Sequence, residues 1–178
     1  MTDSDVDLRF PVGRYVPPAS FTAEWRRTSI DAFAAAPKAM RRAVDGLDDA
    51  KLDTPYRPGG WSVRQVVHHV PDSHLNMYIR VKLALTEDVP TIKPYNEDEW
   101  AKLEDARTTP IETSLVLLES VHDRTVRIFQ SLSEEQFQRR YVHPASGEHD
   151  LNYLIGLYAW HGAHHVAHIT RLRDRMQW

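Results

Sequence analysis

Residues 151–176 read LNYLIGLYAWHGAHHVAHITRLRDRM, a stretch without proline in which apolar side chains recur at helical spacing. Asp150 comes directly before this stretch and is a suitable N-cap. Leu154 and Leu157 mark an apolar stripe that would face the protein core. The sequence therefore predicts a helix that begins after Asp150 and ends at about Met176.

The apolar stripe of this helix turns polar halfway along. After Leu157 it continues with His161 and His165, which lie four residues apart on one helical face, so both rings can reach one metal ion. His164 and His168 have the same spacing, but that pair continues the stripe less well. Buried imidazoles need partners, and one metal ion can serve several of them. The alternatives are a solvated polar face, or rings that each bind a backbone carbonyl.

A second helix is predicted from Ser62 to Thr86, with a capping box at its start and a kink at Pro71. Polar residues recur along it at helical steps and share one face: Gln65, His69, Asp72, Asn76 and Arg80. If this face points to the interior, His69 supplies a third imidazole. His68 lies on another face, where we expect a partly exposed histidine.

The other members of this polar face have candidate roles beside the metal. Asp72 could orient a ligand imidazole, as could His168 on the last helix, or Asp72 could be a plain surface carboxylate. Arg80 could bind an anionic substrate through its planar guanidinium, or form a salt bridge with the 87–105 loop. The amides of Gln65 and Asn76 are further candidates for substrate binding.

The remaining chain supplies two more long helices, which predicts an all-α protein, an antiparallel four-helix bundle formed by one domain over residues 1–178. Pro37 is expected to kink or divide the first helix. The predicted segments are an extended lead-in at 1–20, a helix from Thr22 to Leu47, a connection from Asp48 to Gly60, a loop at 87–110 with one short helix from Asn96 to Leu103, a helix from Ile111 to Leu132, a short helical turn capped by Ser133, and a loop from Tyr141 to His149.

Composition excludes several classes of function. The formal net charge is −3, so the chain has no excess of basic residues with which to bind nucleic acid. It has no cysteine, which excludes disulfides, thiolate metal sites and a cysteine nucleophile. We find no signal peptide and no apolar run long enough for a membrane span, and we expect a cytoplasmic protein.

Three neutral nitrogen ligands with no fourth protein group would leave an open coordination position. Such a position admits water or a thiol, and a divalent metal lowers the pKa of either. Nitrogen ligands suit zinc, nickel, iron or copper. A bundle of this size has its own core, so a metal site in it is expected to serve function rather than folding.

Three stretches carry a resemblance to a known family. Residues 60–74 read GWSVRQVVHHVPDSH, residues 80–95 read RVKLALTEDVPTIKPY, and residues 158–169 read YAWHGAHHVAHI. With them, the chain from about Arg9 to Trp178 resembles the DinB/YfiT-like superfamily and its YfiT branch. The resemblance implies a four-helix bundle that is commonly a homodimer. It also implies one divalent metal ion bound by His69, His161 and His165, and zinc and nickel are the first candidates for this ion.

The resemblance also implies an activity. Members of the family are described as metal-dependent hydrolases, and relatives transfer low-molecular-weight thiols such as bacillithiol. Some thiol-dependent relatives have glutamate where this chain has His161, so their substrates do not carry over. We favour a thiol S-transferase acting on a small molecule, with metal-dependent hydrolysis as the alternative. There are two further alternatives. One is a non-enzymatic metal-binding stress protein, in which Asp72 or His168 closes the metal site as a fourth ligand. The other is a helical interaction module.

Overall fold

The computed structural model describes residues 7–178, and four long helices account for most of it. In chain order the elements are α1 (Ala23–Val44), α2 (Asp49–Leu52), α3 (Val63–Thr86), α4 (Glu97–Trp100), α5 (Glu104–Thr108), α6 (Ile111–Ser131), α7 (Glu134–Phe137), β1 (Arg140–His143), β2 (Gly147–Asp150) and α8 (Leu151–Met176). Residues 7–20 form no helix or strand, and the first six residues of the predicted lead-in lie outside the described residues.

The four-helix bundle predicted from the sequence is confirmed, and its helix directions follow from the contacts. Two contacts join α3 to α6: His68 bonds Ser114, and His74 bonds His122, so these two helices run parallel. Conversely, α3 and α8 run antiparallel, because His69 meets His161 while Arg80 meets Tyr158. A parallel pair needs a long crossover, and residues 87–110 between α3 and α6 supply it.

Polar caps fix where the long helices begin. The Thr22 side chain accepts a hydrogen bond from the Trp25 amide at the start of α1. Ser62 and Gln65 form the predicted capping box of α3, and Asp150 accepts from the Tyr153 amide at the start of α8. These caps fix the first residue of α3 and of α8, and the packing of their apolar faces then sets the direction of their histidines.

The bundle interior consists of two apolar clusters separated along the helix axes. One contains Phe33, Met77, Phe129, Leu154 and Ile155. The other contains Met40, Val67, Leu118 and Ile169. On α3, α6 and α8 the positions between the two clusters are occupied by histidines, so a polar layer crosses the core at mid-height.

Several local predictions need correction. Pro37 does not divide α1, which continues through it because its flanking turns remain packed against α8 and α6. The Asp48–Gly60 connection contains α2, and the crossover contains two short helices, α4 and α5, rather than one.

No helix among the described residues is long and apolar enough to cross a membrane.

The predicted Tyr141–His149 loop is instead a β-hairpin. Its strands pair in antiparallel register from Arg140 opposite Asp150 to His143 opposite Gly147. The crossover stabilises it, since Val142 donates to the Pro90 carbonyl at 2.9 Å and accepts from the Ile92 amide at 2.9 Å. Partners this distant in sequence leave no periodic signal in a four-residue strand.

Candidate metal centre

Three histidines from two helices converge in the polar layer of the bundle. His69 comes from α3, and His161 and His165 come from successive turns of α8. One nitrogen from each ring lies within 4.8 Å of the other two. Nε2 of His69 is 3.4 Å from Nε2 of His161. The structure thus brings together the three histidines that the sequence predicted as metal ligands.

The environment keeps all three rings neutral. Burial, with smaller contributions from His164 and His168, lowers the pKa of His69 to about 4. Burial also holds the pKa values of His161 and His165 well below the ordinary value for histidine. A metal ligand must be an unprotonated imidazole, so these shifts prepare the donors at neutral pH.

The geometry of the donors fits a divalent cation. Two nitrogens that each lie about 2.0–2.1 Å from a tetrahedral zinc ion are about 3.3 Å apart. The 3.4 Å between the two Nε2 atoms of His69 and His161 matches that separation. Among the described residues no carboxylate and no fourth histidine joins this group, which leaves the coordination position toward the cavity open.

Two of the three rings have a second histidine behind them. Nδ1 of His161 is 3.1 Å from Nε2 of His74, and Nδ1 of His165 is 3.4 Å from Nδ1 of His168. His168 stacks on Tyr56 with ring centroids 4.0 Å apart. His168 therefore occupies the position predicted for it, next to a candidate ligand. The contact with His74 leaves Nε2 of His161 facing His69, and the contact with His168 engages Nδ1 of His165.

Asp72 does not have the role that we favoured for it. Its carboxylate forms no hydrogen bond with a histidine, and its backbone carbonyl accepts from the Asn76 side chain at 2.9 Å. Burial, and then the nearby charge of Asp105 on α5, raise the pKa of Asp72 to about 6. Helical spacing places Asp72 near His69 along α3, but the side of the helix that carries Asp72 turns toward α5 and away from the histidines.

His74 and His122 are the residues that the sequence reasoning missed. His74 is fully buried, and its Nδ1 lies 2.7 Å from Nε2 of His122 on α6. Nδ1 of His122 lies 2.8 Å from the carbonyl oxygen of Phe33 on α1. A signal was present, because His122 interrupts the apolar stripe of α6 between Leu118 and Phe129.

His68 was expected to be partly exposed, and that expectation is wrong. It is buried, and its ring binds the Ser114 hydroxyl at 2.7 Å and the Thr109 carbonyl at 3.0 Å. It does lie on a different face from His69, as predicted. Its ring ties α3 to the start of α6 and takes no part in the cluster at the cavity.

A cavity of about 730 Å³ opens over the candidate ligands. This volume is within the range of small-molecule sites. Of the three predicted substrate-binding residues, the structure places only Arg80 in its lining. Gln65 uses its amide to cap α3 and to bind the Ala101 carbonyl at 2.7 Å, and Asn76 bonds its own helix.

Among the residues that the structure describes, Arg80 has no acidic partner. Its Nη1 donates to the Tyr158 hydroxyl at 3.2 Å, and its Nε is buried without a hydrogen-bond partner. Within residues 7–178 no carboxylate forms a salt bridge with it, so the alternative of a salt bridge to the 87–105 loop is not realised there. A second guanidinium in the lining, that of Arg57, binds the Tyr56 hydroxyl and the Pro58 carbonyl.

A second combination of histidines also brings three rings close together. His164, His165 and His168 each offer a nitrogen within 4.8 Å of the others, and all three are buried. His168 is engaged with the Arg9 carbonyl at 3.3 Å, and His164 stacks on Trp160. The combination that includes His69 joins two helices, and the Nε2 atoms of His69 and His161 face one another in it. We therefore treat His69, His161 and His165 as the candidate ligands.

Comparison with known proteins identifies the family of the chain. The family model described as the DinB superfamily matches residues 32–169. Proteins named "Putative metal-dependent hydrolase" from Bacillus cereus (strain ATCC 10987 / NRS 248) and from Bacillus thuringiensis subsp. konkukian (strain 97-27) are each 52% identical over 172 residues, covering 97% of this chain and 99% of theirs.

A solved structure shares the whole fold. YfiT from Bacillus subtilis, described as a probable metal-dependent hydrolase with an unusual four-helix bundle topology, superposes with a TM-score of 0.95 at 45% identity. The match covers 97% of this chain and 99% of that one. The parallel pairing of α3 with α6 is one way in which the present bundle departs from simple up-and-down order. From its sequence, its fold and its relatives, this chain belongs to the DinB superfamily and is YfiT-like.

Proposed function

We propose that the protein is a metal-dependent enzyme that activates a small anionic thiol for transfer to an electrophile. One observation carries the proposal: three neutral imidazoles converge beneath a cavity in which the guanidinium of Arg80 lacks an acidic partner from residues 7–178. The imidazoles would hold one divalent ion, with zinc or nickel as the first candidates. When bound, such an ion supplies a Lewis acid that lowers the pKa of a thiol or water at its open position.

The surroundings of the candidate ligands favour a thiol as the nucleophile. A free thiol has a pKa of about 8.5, whereas that of water is about 15.7, so a thiol needs a much smaller shift to ionise at neutral pH. Within the described chain no carboxylate belongs to the histidine cluster itself, although Glu97 and Asp98 line the cavity above it. Of the two nucleophiles, a thiol depends less on a general base.

The positive charge of Arg80 is the reason why we expect an anionic substrate. A guanidinium is always protonated and binds carboxylates through two parallel hydrogen bonds. In this cavity Nη1 of the group contacts Tyr158, and Nε is buried without a hydrogen-bond partner among residues 7–178, so the guanidinium is not fully paired. Arg57 places a second positive charge in the same lining. A low-molecular-weight thiol that carries carboxylates would satisfy both residues while its sulfur reaches the histidines.

The proposed reaction is a substitution at carbon. The thiolate sulfur attacks an electrophilic carbon, a carbon–sulfur bond forms, the leaving group departs with its bonding electrons, and the thiol proton passes to solvent. The chain itself holds the thiol by its carboxylates and sets the distance between the sulfur and the electrophile. Positioning of this kind converts a slow bimolecular encounter into a reaction within one complex.

Hydrolysis is the second candidate, and the relatives' names favour it. It would use the same histidines, with a water oxygen attacking a carbonyl carbon and the carbonyl–leaving-group bond breaking. A closed, non-enzymatic metal site is less well supported. Among the described residues neither Asp72 nor His168 joins the three candidate ligands as a fourth.

The experiment that tests the proposal follows the reaction of 1-chloro-2,4-dinitrobenzene with mercaptosuccinate, cysteine, glutathione and coenzyme A. The proposal requires acceleration that saturates with one anionic thiol, disappears on chelation and returns with Zn²⁺ or Ni²⁺. His165→Ala should abolish it, whereas His68→Ala should retain it. Metal-dependent cleavage of p-nitrophenyl acetate in the absence of thiol, with no thiol reaction, would replace the transferase assignment by the hydrolase one.

A further inference from the structure

We propose that His74 and His122 are positioning residues, which hold His161 in the tautomer that presents an unprotonated Nε2 to the metal. The line of contacts begins at a backbone carbonyl, that of Phe33, on the far side of the bundle. The inference rests on the proposed metal centre for its functional meaning, although the tautomer itself can be measured without metal.

Three short contacts connect Phe33 to His161 across the core. The carbonyl oxygen of Phe33 is 2.8 Å from Nδ1 of His122. Nε2 of His122 is 2.7 Å from Nδ1 of His74, and Nε2 of His74 is 3.1 Å from Nδ1 of His161. The rings of His122 and His74 stack with Phe33 at interplanar angles of 4° and 11°, which fixes their planes. We call this line of contacts the histidine relay.

The carbonyl end dictates the direction of every hydrogen bond in the histidine relay. A carbonyl oxygen can only accept, so Nδ1 of His122 must carry the proton. A neutral imidazole has one donor and one acceptor, so Nε2 of His122 accepts from Nδ1 of His74. The same rule makes Nε2 of His74 accept from Nδ1 of His161. The proton of His161 is then on Nδ1, and its Nε2 keeps a free lone pair facing His69.

Burial keeps the rings of the histidine relay neutral. His122 is 2% exposed and His74 is fully buried, so a charge on either would be costly. A protonated ring in the middle of the relay would present two donors and break the sequence of bonds.

Proline explains why the Phe33 carbonyl is available. In an uninterrupted helix this oxygen would accept from the amide four residues later, which here belongs to Pro37. Proline has no amide hydrogen, so the ladder leaves the Phe33 oxygen without its usual donor. His122 supplies a replacement from α6. The proline that the sequence marks as a possible helix break thus provides the fixed acceptor of the relay.

A shorter arrangement with the same polarity stands behind His165. Nε2 of His168 is 3.3 Å from the carbonyl oxygen of Arg9, and Nδ1 of His168 is 3.4 Å from Nδ1 of His165. The carbonyl makes His168 a donor at Nε2 and an acceptor at Nδ1, which leaves Nε2 of His165 unprotonated. Two candidate ligands from α8 are therefore oriented by separate backbone carbonyls, which a chance pair of core histidines would not require.

The experiment compares two substitutions at His122, which does not contact any candidate ligand directly. His122→Phe keeps the aromatic ring against Phe33 but removes the acceptor for His74. His122→Gln keeps one donor and one acceptor. The chelator-treated full chain is labelled with ¹⁵N-histidine, and long-range ¹H–¹⁵N correlations report which nitrogen of His161 carries the proton. Zn²⁺ affinity is measured by competition with a chromophoric chelator.

The wild type should have the His161 proton on Nδ1. His122→Phe should move it toward Nε2 and weaken Zn²⁺ binding about 10- to 100-fold, as is usual when the partner behind a ligand is lost. His122→Gln should bind Zn²⁺ within a few-fold of the wild type. Phe129→Leu, in the same helix and apolar core, is the matched control: it should lower thermal stability and leave the Zn²⁺ affinity unchanged.

Two results would overturn the inference: a wild-type His161 protonated on Nε2, or a folded His122→Phe protein with wild-type Zn²⁺ affinity. The first measurement needs no variant, so an unfolded His122→Phe protein leaves the proposal open to refutation. The metal centre can fail separately. If the wild type shows the Nδ1 tautomer but binds no Zn²⁺ or Ni²⁺, the proposed function is wrong and the positioning of His161 stands.

Discussion

Nε2 of His69 and Nε2 of His161 face each other at 3.4 Å although 92 positions separate the residues in the chain. Two unprotonated nitrogens repel one another unless a proton or a cation lies between them. The histidine relay accounts for the lone pair on His161. A neutral His69 can meet it in two ways: with its proton on Nε2 it donates a hydrogen bond, and with its proton on Nδ1 it can share a divalent cation with His161. The proposed metal centre requires the second tautomer.

Metal binding should depend on the three candidate ligands, with no other histidine as a ligand. We expect about one Zn²⁺ or Ni²⁺ per chain, and a loss of affinity of at least about 100-fold in His69→Ala, His161→Ala or His165→Ala, because two nitrogens hold such ions poorly. Elemental analysis of untagged protein and competition titration measure both quantities.

His68→Ala is the matched control for this prediction. It removes a buried neighbour of His69 with two hydrogen bonds, so it should destabilise the fold by about 2 kcal/mol while the metal stoichiometry is retained. Loss of metal in His68→Ala but not in His69→Ala would contradict the assignment. Loss in His164→Ala but not in His69→Ala would point instead to the second group of histidines.

The metal should not be required for folding. The two apolar clusters on either side of the histidine layer are complete without an ion. Chelated protein should keep its far-ultraviolet circular dichroism and melt cooperatively, with a Tm that rises with added metal by mass action. Complete unfolding by a chelator would show that the ion holds the bundle together.

The helices and the candidate ligands could be predicted because both depend on local spacing. The i, i+4 pair His161 and His165, and the caps Ser62 and Asp150, are visible in short stretches of sequence. The bundle itself was also predicted. The parallel pairing of α3 with α6 was not, because it depends on contacts that the crossover makes with distant elements.

The relay histidines could not be assigned from sequence for a related reason. His122 lies on a third helix, and its partner is a carbonyl on a fourth, so no spacing within one helix connects them. The error at Asp72 has the opposite origin. Helical periodicity placed it on one broad face with His69, but only packing decides which edge of that face turns to α5 and which to the cavity.

Acid should destabilise the metal-free protein between about pH 6.5 and pH 4. The pKa of His122 is about 4 in the fold and about 6.5 when unfolded. The unfolded chain therefore binds more protons in this range, and the free energy of unfolding falls as the pH falls. His122 alone would contribute on the order of 3 kcal/mol.

The matching measurement is urea denaturation of chelated protein from pH 8 to pH 4. His122→Gln should reduce the slope in this interval, because the buried titrating ring is gone. Asp72 acts in the opposite direction, since burial raises its pKa to about 6 and protonation favours the fold. Its effect is smaller than that of the several buried histidines. Stability independent of pH across this range would contradict the neutral, buried state of the relay.

Gly162 should be needed for the close approach of α8 to α1. A Cβ at this position would lie 2.9 Å from the Cβ of Ala36 and would adjoin the ring of His74. Gly162→Ala should lower the free energy of unfolding by about 1–3 kcal/mol through overpacking, even though alanine favours helices. The double variant Gly162→Ala/Ala36→Gly moves the methyl group to the other helix and should recover part of the loss. Additive losses in the double variant would rule out the clash.

Arg80→Ala should impair the binding of anionic thiols and spare neutral ones. A charge-assisted hydrogen bond contributes about 1.5–3 kcal/mol, so the KM for mercaptosuccinate should rise about tenfold or more. The rate constant kcat should change less, because the guanidinium binds the carboxylates and not the reacting sulfur. With 2-mercaptoethanol, which has no carboxylate, kcat/KM should be close to that of the wild type.

Arg127→Ala removes an exposed arginine that pairs with Asp123 on the outer surface of α6, and it is the control for loss of charge alone. An equal loss for both thiols in Arg80→Ala, with Zn²⁺ affinity intact, would mean that Arg80 supports the structure of the cavity through Tyr158 and does not select the substrate.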